Sequence, residues 1–318
     1  TYIFALRGGG TKDFYMYNPL TNTWTNLTNS PAPAPIDKGG GAVYLNGYIY
    51  VIRGAGTTDF WRFNLATNTW ETLSSTPATV SDGGSITTDG NYIYVLRGGY
   101  NSQVYKYDPT TNSWTTILNT PLEIRLGGSI AYVPNYNLLY ISRGDYNFYW
   151  FYNLTSGSFL WYPKELPNTA SKGASLIVIN DSLYMIRGSG SNEFWRYNIS
   201  TNNWEILNPL PATAGDTTFM IYKDGYIYAS IAGNTKQIYK YNISENKWYN
   251  VTDEMNLPLP IGVGGFVATE NTSYIIVGNK RTEIIVFNPF SNILSSNSLK
   301  IGSSGKYIFI KIFNKEIK

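Results

Sequence analysis

Apolar and polar positions alternate along this chain in short bursts that fit strands and never sustain a helical period. The stretch Tyr48 to Trp70, YIYVIRGAGTTDFWRFNLATNTW, contains the pattern in miniature. An alternating aromatic run, YIYVI (48–52), is followed by a glycine-rich turn, a second run FWRFN (60–64), a polar turn and a third run TWETL (69–73). Runs of this length, bounded by Gly, Asn and Asp, predict antiparallel strands joined by tight turns. A small, apolar run precedes each such group, as in GGGAVYL (39–45) and GGSIAYV (127–133), and predicts a further, crowded strand. We label the four strands A to D in chain order.

The same pattern recurs seven times. Its second half reads YNPLTNTW (17–24), FNLATNTW (63–70), YDPTTNSW (107–114), YNLTSGSF (152–159), YNISTNNW (197–204), YNISENKW (241–248) and FNPFSNIL (287–294), with final residues 44 to 46 positions apart. A fixed period of this size is the signature of a solenoid or propeller, and four short strands per repeat select the propeller.

These residues resemble the kelch family. Its repeat carries a strand ending in a glycine pair, an aromatic residue on the next strand and a tryptophan six or seven residues later. Tyr17, Phe63, Tyr107, Tyr152, Tyr197, Tyr241 and Phe287 match the aromatic position; Trp24, Trp70, Trp114, Trp204 and Trp248 match the tryptophan, with Phe159 and Leu294 substituting. The resemblance implies an all-β fold, a seven-bladed β-propeller of four-stranded kelch-like blades forming one domain over residues 1–318. The first repeat begins at strand B (TYIFALRG, 1–8), and an extra strand, GKYIFIKIF (305–313), follows the last. One end lacks what the other has spare, so the C-terminal strand is expected to complete the first blade and close the ring.

One position departs from the family pattern. Where a kelch repeat has the first glycine of its pair, this chain has Arg7, Arg53, Arg97, Arg143 and Arg187, then Ile231 and Val277. Six residues beyond four of the arginines stand Asp13, Asp59, Gln103 and Glu193. That spacing places arginine and acceptor across the B–C hairpin from each other, where they attract. Each arginine is therefore expected to clasp its own hairpin, packing its stem on neighbouring aromatics. Planar guanidinium groups also suit an anionic or polyhydroxyl ligand. Arg143, whose hairpin RGDYNFYW (143–150) offers no evident acidic partner, is the leading candidate for ligand contact. Tyr100 and Tyr146 fall in B–C loops, and Lys38, Asp82, Arg125, Lys172 and Asp216 fall in D–A loops that emerge at the same end.

Asn-x-Ser/Thr sequons occur at Asn26, Asn153, Asn180, Asn198, Asn242, Asn250 and Asn271. Asn153, Asn198 and Asn242 fall in C–D turns, and Asn180 and Asn271 in A–B turns, at the end of the blades opposite the arginines. Turn chemistry alone also favours Asn and Thr at such places. Glycans there would shield one face and leave the arginine face open.

Composition narrows the function. The chain has no histidine and no cysteine, which removes Ser–His–Asp and Cys–His nucleophiles, disulfides and the commonest transition-metal ligands. Kelch-class copper oxidases need both residue types and are excluded; kelch enzymes acting on sialic acid rely on Glu and Arg, which are present without a motif specific to them. No P-loop, zinc set or EF-hand loop is found, so neither metal nor cofactor is implied. Charged residues make up 14% and the formal charge is +3, which gives no electrostatic footprint for nucleic acid and a neutral polar surface of extracellular character. No apolar run is long enough to span a membrane. Thr1 opens in the middle of the pattern with neither Met nor a signal peptide, which reads as a mature product or a piece of a longer chain or assembly. The reading is a non-catalytic extracellular or cell-surface adhesion module, on a cell or virion, recognising a glycan or protein partner. A structural subunit of a surface layer, filament or virion is the alternative, and a carbohydrate-active kelch enzyme the second.

Overall fold

The computed structural model describes residues 3–7, 12–18, 23–125, 127–160, 164–170, 174–188, 190–214, 218–223, 225–231, 235 and 237–252, and beyond these the strands 265–268, 273–276, 284–287, 298–300 and 307–311. Strands dominate it, and each repeat makes one antiparallel sheet with its strands in chain order. The chain forms two compact units, Thr1–Lys164 with Ser303–Lys318, and Glu165–Gly302.

The first unit holds four sheets. Sheet 1 runs Tyr307–Lys311, Ile3–Arg7, Phe14–Asn18, Thr23–Asn26, and sheet 2 runs Gly41–Leu45, Tyr48–Ile52, Phe60–Asn64, Thr69–Thr72. Sheet 3 is Ser85–Thr88, Ile93–Leu96, Asn101–Asp108, Ser113–Ile124, and the path of sheet 4 is Ser129–Val133, Leu138–Ser142, Phe148–Asn153, Ser158–Phe159. The C-terminal strand pairs antiparallel with Ile3–Arg7, Arg7 opposite Tyr307 and Ile3 opposite Lys311. First strands of successive sheets lie side by side. In the second unit, sheet 5 (Ser175–Ile179, Ser182–Ile186, Phe194–Asn198, Asn203–Ile206) and sheet 6 (Thr218–Lys223, Tyr226–Ile231, Ile238–Asn242, Lys247–Asn250) repeat the plan. Sheet 7 has three described strands, Gly265–Ala268, Ser273–Ile276 and Ile284–Phe287; the expected fourth, near Leu294, lies outside the described residues. A short strand that the repeat pattern does not foretell, Ser298–Lys300, pairs with Ser175–Ile179. No helix among the described residues is long and apolar enough to cross a membrane.

The core lies between sheets. Period-2 alternation gives each strand two apolar faces, and these meet the next sheet in clusters such as Phe14, Ile49, Val51, Trp61 and Phe63, or Ile52, Phe60, Val95 and Tyr107. One aromatic junction recurs. The phenylalanine opening strand C packs on the aromatic pair of the following sheet: Phe14 on Phe63 and Trp70, Phe60 on Tyr107 and Trp114, Phe194 on Tyr241 and Trp248, with ring centroids 4.8 to 5.2 Å apart. Edge-to-face pairs of this kind add about 0.5–1.5 kcal/mol each beyond the area they bury.

The tryptophan does more than pack. Its indole N–H donates to a backbone carbonyl 40 residues earlier, in the preceding sheet's outer segment: Trp70 to Ser30 at 3.0 Å, Trp114 to Ser74 at 2.8 Å and Trp248 to Asn208 at 2.9 Å. The asparagine two positions before the tryptophan completes the joint. Asn68, Asn112, Asn202 and Asn246 have φ between 51° and 58°, a left-handed turn conformation that asparagine tolerates. Asn112 Oδ1 accepts from the Tyr107 hydroxyl at 2.9 Å and from the Ser74 N–H at 2.9 Å; Asn246 does the same for Tyr241 and Asn208. The repeated Tyr…Thr-Asn-x-Trp motif is thus a joint between neighbouring sheets. Sheet 4 lacks both partners, with Gly157 and Phe159 in their places, and there the Tyr152 hydroxyl donates directly to the Ile117 carbonyl of sheet 3 at 3.3 Å.

Replacing Trp114 by Phe keeps most of the ring contact and leaves the Ser74 carbonyl without its indole donor. The expected loss is about 1 kcal/mol in chemical denaturation, while Phe159→Leu in sheet 4, which removes no hydrogen bond, reports packing alone.

Candidate functional site

The B–C hairpins and D–A loops emerge at the same end of their sheets, and the arginines sit where they meet. The position demands a tight backbone. Gly54, next to Arg53, has φ +70°, and a Cβ on it would lie 2.3 Å from the Gly40 nitrogen and the Lys38 carbonyl; Gly98, beside Arg97, is held the same way against Gly84 and Asp82. The second glycine of the pair is therefore fixed by close backbone approach. The first carries no such demand, and its side chain can project along the loop.

Three arginines use that freedom identically. Arg53 donates from Nε to the Pro35 carbonyl at 2.9 Å and from Nη1 to Asp59 at 2.8 Å. Arg97 reaches the Thr79 carbonyl at 3.1 Å and Gln103 at 2.9 Å. Arg187 reaches the Thr169 carbonyl at 2.9 Å and pairs with Glu193. One guanidinium thus ties the D–A loop to the B–C hairpin of its own sheet. The hairpin clasp expected from the six-residue spacing is present, and the bond to the loop carbonyl adds a second tie that the sequence did not disclose. The side chain of Arg7 lies outside the described residues.

Arg143 behaves differently from its expectation. It is the buried one, 8% exposed, and it has an acidic partner. Its Nε meets the Glu123 carbonyl at 3.3 Å and its Nη2 the Glu123 carboxylate at 2.7 Å. Glu123, at the extended end of the Ser113–Ile124 strand, takes the place that Pro35, Thr79 and Thr169 hold in the D–A loops before sheets 2, 3 and 5, so the acid has moved from the hairpin to the D–A connection. At the hairpin position stands Tyr149, fully buried. Arg143 is consequently a structural brace.

The same carboxylate also takes Arg125, whose Nε and Nη2 donate to Glu123 Oε1 at 3.1 and 2.9 Å. A hydrogen bond from its own backbone, then those of Arg125 and Arg143, hold the Glu123 carboxyl down at about 2. Tyr100 and Tyr146 gather over Arg125, their ring centroids 5.4 and 5.2 Å from its guanidinium carbon, and Tyr146 also lies 4.1 Å from that of Arg143. Both tyrosines are open to solvent, Tyr100 at 67% and Tyr146 at 40%. Tyr100 has φ +60°, at the hairpin position filled by Gly56 and Gly190, each with φ +69°. A left-handed backbone costs an L-residue about 1–2 kcal/mol, so a tyrosine is kept here against local preference and displayed rather than buried. The structure therefore brings Tyr100, Tyr146, Arg125, Glu123 and Arg143 together, and leaves Arg53, Arg97 and Arg187 at their separate hairpins. Arg125 is among the D–A loop residues that the sequence singles out, whereas Glu123 shows itself only when these segments are aligned on Pro35, Thr79 and Thr169; Lys172 and Asp216 lie outside the described residues.

The sequon asparagines have a local role. Asn153, Asn198 and Asn242 end strand C, and their side-chain oxygens accept backbone N–H groups from Thr155 and Ser156, from Thr201, and from Ser244. Asn64 and Asp108, which begin no sequon, make the same turns. The C–D turn geometry selects Asn or Asp by itself. Asn180 occupies an A–B turn with φ +50°, Asn26 and Asn250 end outer strands in exposed positions, and Asn271 lies outside the described residues.

Sheets of this kind, with first strands side by side and cores between faces, define a propeller-like all-β fold. Comparison with solved structures agrees: the structure of YjhT superposes with a TM-score of 0.55 at 16% identity, covering 80% of this chain and 94% of that one. No family profile matches the chain, and no curated protein matches it.

Because the folded Glu123 pKa is depressed, its contribution to stability is present above its unfolded value near 4.5 and is lost as pH falls through about 2. A carboxyl titration by NMR should give Glu123 a midpoint near 2. Glu123→Gln, which strips the buried Arg143 of its counter-charge, should lower the thermal midpoint more than Asp59→Asn, whose Arg53 is half-exposed.

Proposed function

We propose that this chain is a non-catalytic binding module displayed outside the cell, on a cell or virion surface, that engages a glycan or protein through the B–C and D–A loop end of its sheets. The framework we assign to it is a seven-bladed, kelch-type propeller with Tyr307–Lys311 closing the ring. Tyr100, Tyr146 and Arg125 form the contact centre, Glu123 and Arg143 hold Arg125 between the tyrosines, and Arg53, Arg97 and Arg187 each brace the hairpin of their own sheet. Glycans on Asn153, Asn198 and Asn242 would sit at the opposite end of the strands and leave this one clear.

The carrying observation is Tyr100, an aromatic displayed in a left-handed conformation where equivalent hairpins use glycine. Tyrosine and arginine supply much of the energy of binding surfaces, because they offer rigid area with polar edges. The arrangement also separates two roles of one position. Tyr100→Gly removes the contact and relieves the backbone, so it should leave the thermal midpoint unchanged or slightly raised while weakening binding about tenfold or more on a glycan array or a panel of purified surface proteins. Undiminished binding by that variant would remove this face from consideration.

A further inference from the structure

We infer that the partner met by the Tyr100–Arg125–Tyr146 patch is a second copy of this chain, joined to the first about a two-fold axis. The inference rests on the reading of this end as a contact surface and specifies what it contacts.

The charges on the patch do not close within one chain. Glu123 is shared between Arg125 and Arg143, so two cations answer to one anion and the cluster keeps one surplus positive charge. Two N–H groups of Arg125 are taken by Glu123, and both Nη1 hydrogens and one on Nη2 are unengaged among the described residues. Next to Tyr146, at the tip of the sheet 4 hairpin, stands Asp145, exposed and with no side-chain hydrogen bond or ion pair among the described residues. A free carboxylate and an under-compensated guanidinium thus share one loop cluster without pairing with each other. A two-fold axis resolves this, because Asp145 of each copy can meet Arg125 of the other, and the contact is made twice.

The remaining features agree. Tyr100 and Tyr146, exposed in the single chain, would be covered, and tyrosine and arginine are the residue types enriched at protein interfaces. An anionic glycan or acidic peptide reaching Arg125 would also meet the unpaired carboxylate of Asp145, which opposes it; a second copy turns the same carboxylate into an attraction. A formal charge of +3 on 318 residues offers little mutual repulsion to self-association.

Sedimentation of the whole chain from micromolar to submillimolar concentration tests this. The expected result is a monomer–dimer equilibrium that weakens with salt and whose dissociation constant rises about tenfold or more in Asp145→Asn and in Tyr100→Gly. Both replacements suit the left-handed backbone at their sites, φ +51° and +60°, so folding is not at issue. Asp145→Lys and Arg125→Glu should each be monomeric alone and dimerise when mixed, since the mixed pair restores both contacts. A chain that stays monomeric throughout, or a dimer indifferent to Asp145→Asn and Tyr100→Gly, overturns the inference. If the chain is monomeric yet binds a glycan or surface protein that Tyr100→Gly abolishes, the contact-surface reading stands without it; if neither occurs, both fall.

Discussion

The indole N–H of the strand D tryptophan governs this architecture. Leaving such an N–H unpaired is costly, and in Trp70, Trp114 and Trp248 it is satisfied by a carbonyl in the preceding sheet, 40 residues back. Satisfying it ties the outer strands of sheets 2, 3 and 6 to their predecessors. The Phe–Tyr–Trp contacts then fill the wedge between the sheets, and the left-handed asparagine orients the tyrosine hydroxyl and caps the neighbouring backbone. Directional bonds set the angle and spacing, and apolar area supplies most of the stabilisation. Sheet 4 shows that the acceptor matters more than the donor's identity: without indole or asparagine, a tyrosine hydroxyl makes the connection.

At the other end of the strands a second constraint operates. Where the B–C hairpin passes the D–A loop, Gly54 and Gly98 are pressed against backbone and the residue before each is not. That residue can become arginine, and its forked donors then do what no backbone group can, holding two loops at once. In sheets 2, 3 and 5 this is structural work, and each guanidinium is engaged on both edges. In sheet 4 the same device is turned inward, and Arg125 is carried up to the surface between two tyrosines.

Much of this was legible in the sequence, for a physical reason in each case. Strands, turns and the repeat follow from local alternation and turn residues, and the pairing of Arg53 with Asp59 follows from six residues of hairpin. Glu123 is not legible as the partner of Arg143 from the hairpin alone, because the two are 20 residues apart, across a D–A connection and an A–B turn lengthened by the Pro134–Tyr136 turn of 3-10 helix. The strain at Tyr100 is invisible in a single hairpin and appears only against Gly56 and Gly190. The sequons carry two signals at once: the motif is complete at Asn153, Asn198 and Asn242, and the turn selects the same residue where the motif is absent, at Asn64.

The transfer of the acid from hairpin to loop in sheet 4 has a consequence for how this surface can change. In sheets 2, 3 and 5 the hairpin contributes an anchor, so substitutions there loosen the clasp as well as altering what is displayed. Around Arg143 the anchor is Glu123; at the hairpin tip Asp145 supplies no bond to this arginine, and Tyr146 meets it only with its ring. Of the described hairpins, sheet 4 is therefore where new recognition can evolve at the least risk to folding. Selection can rewrite the tip while the brace below it stays intact.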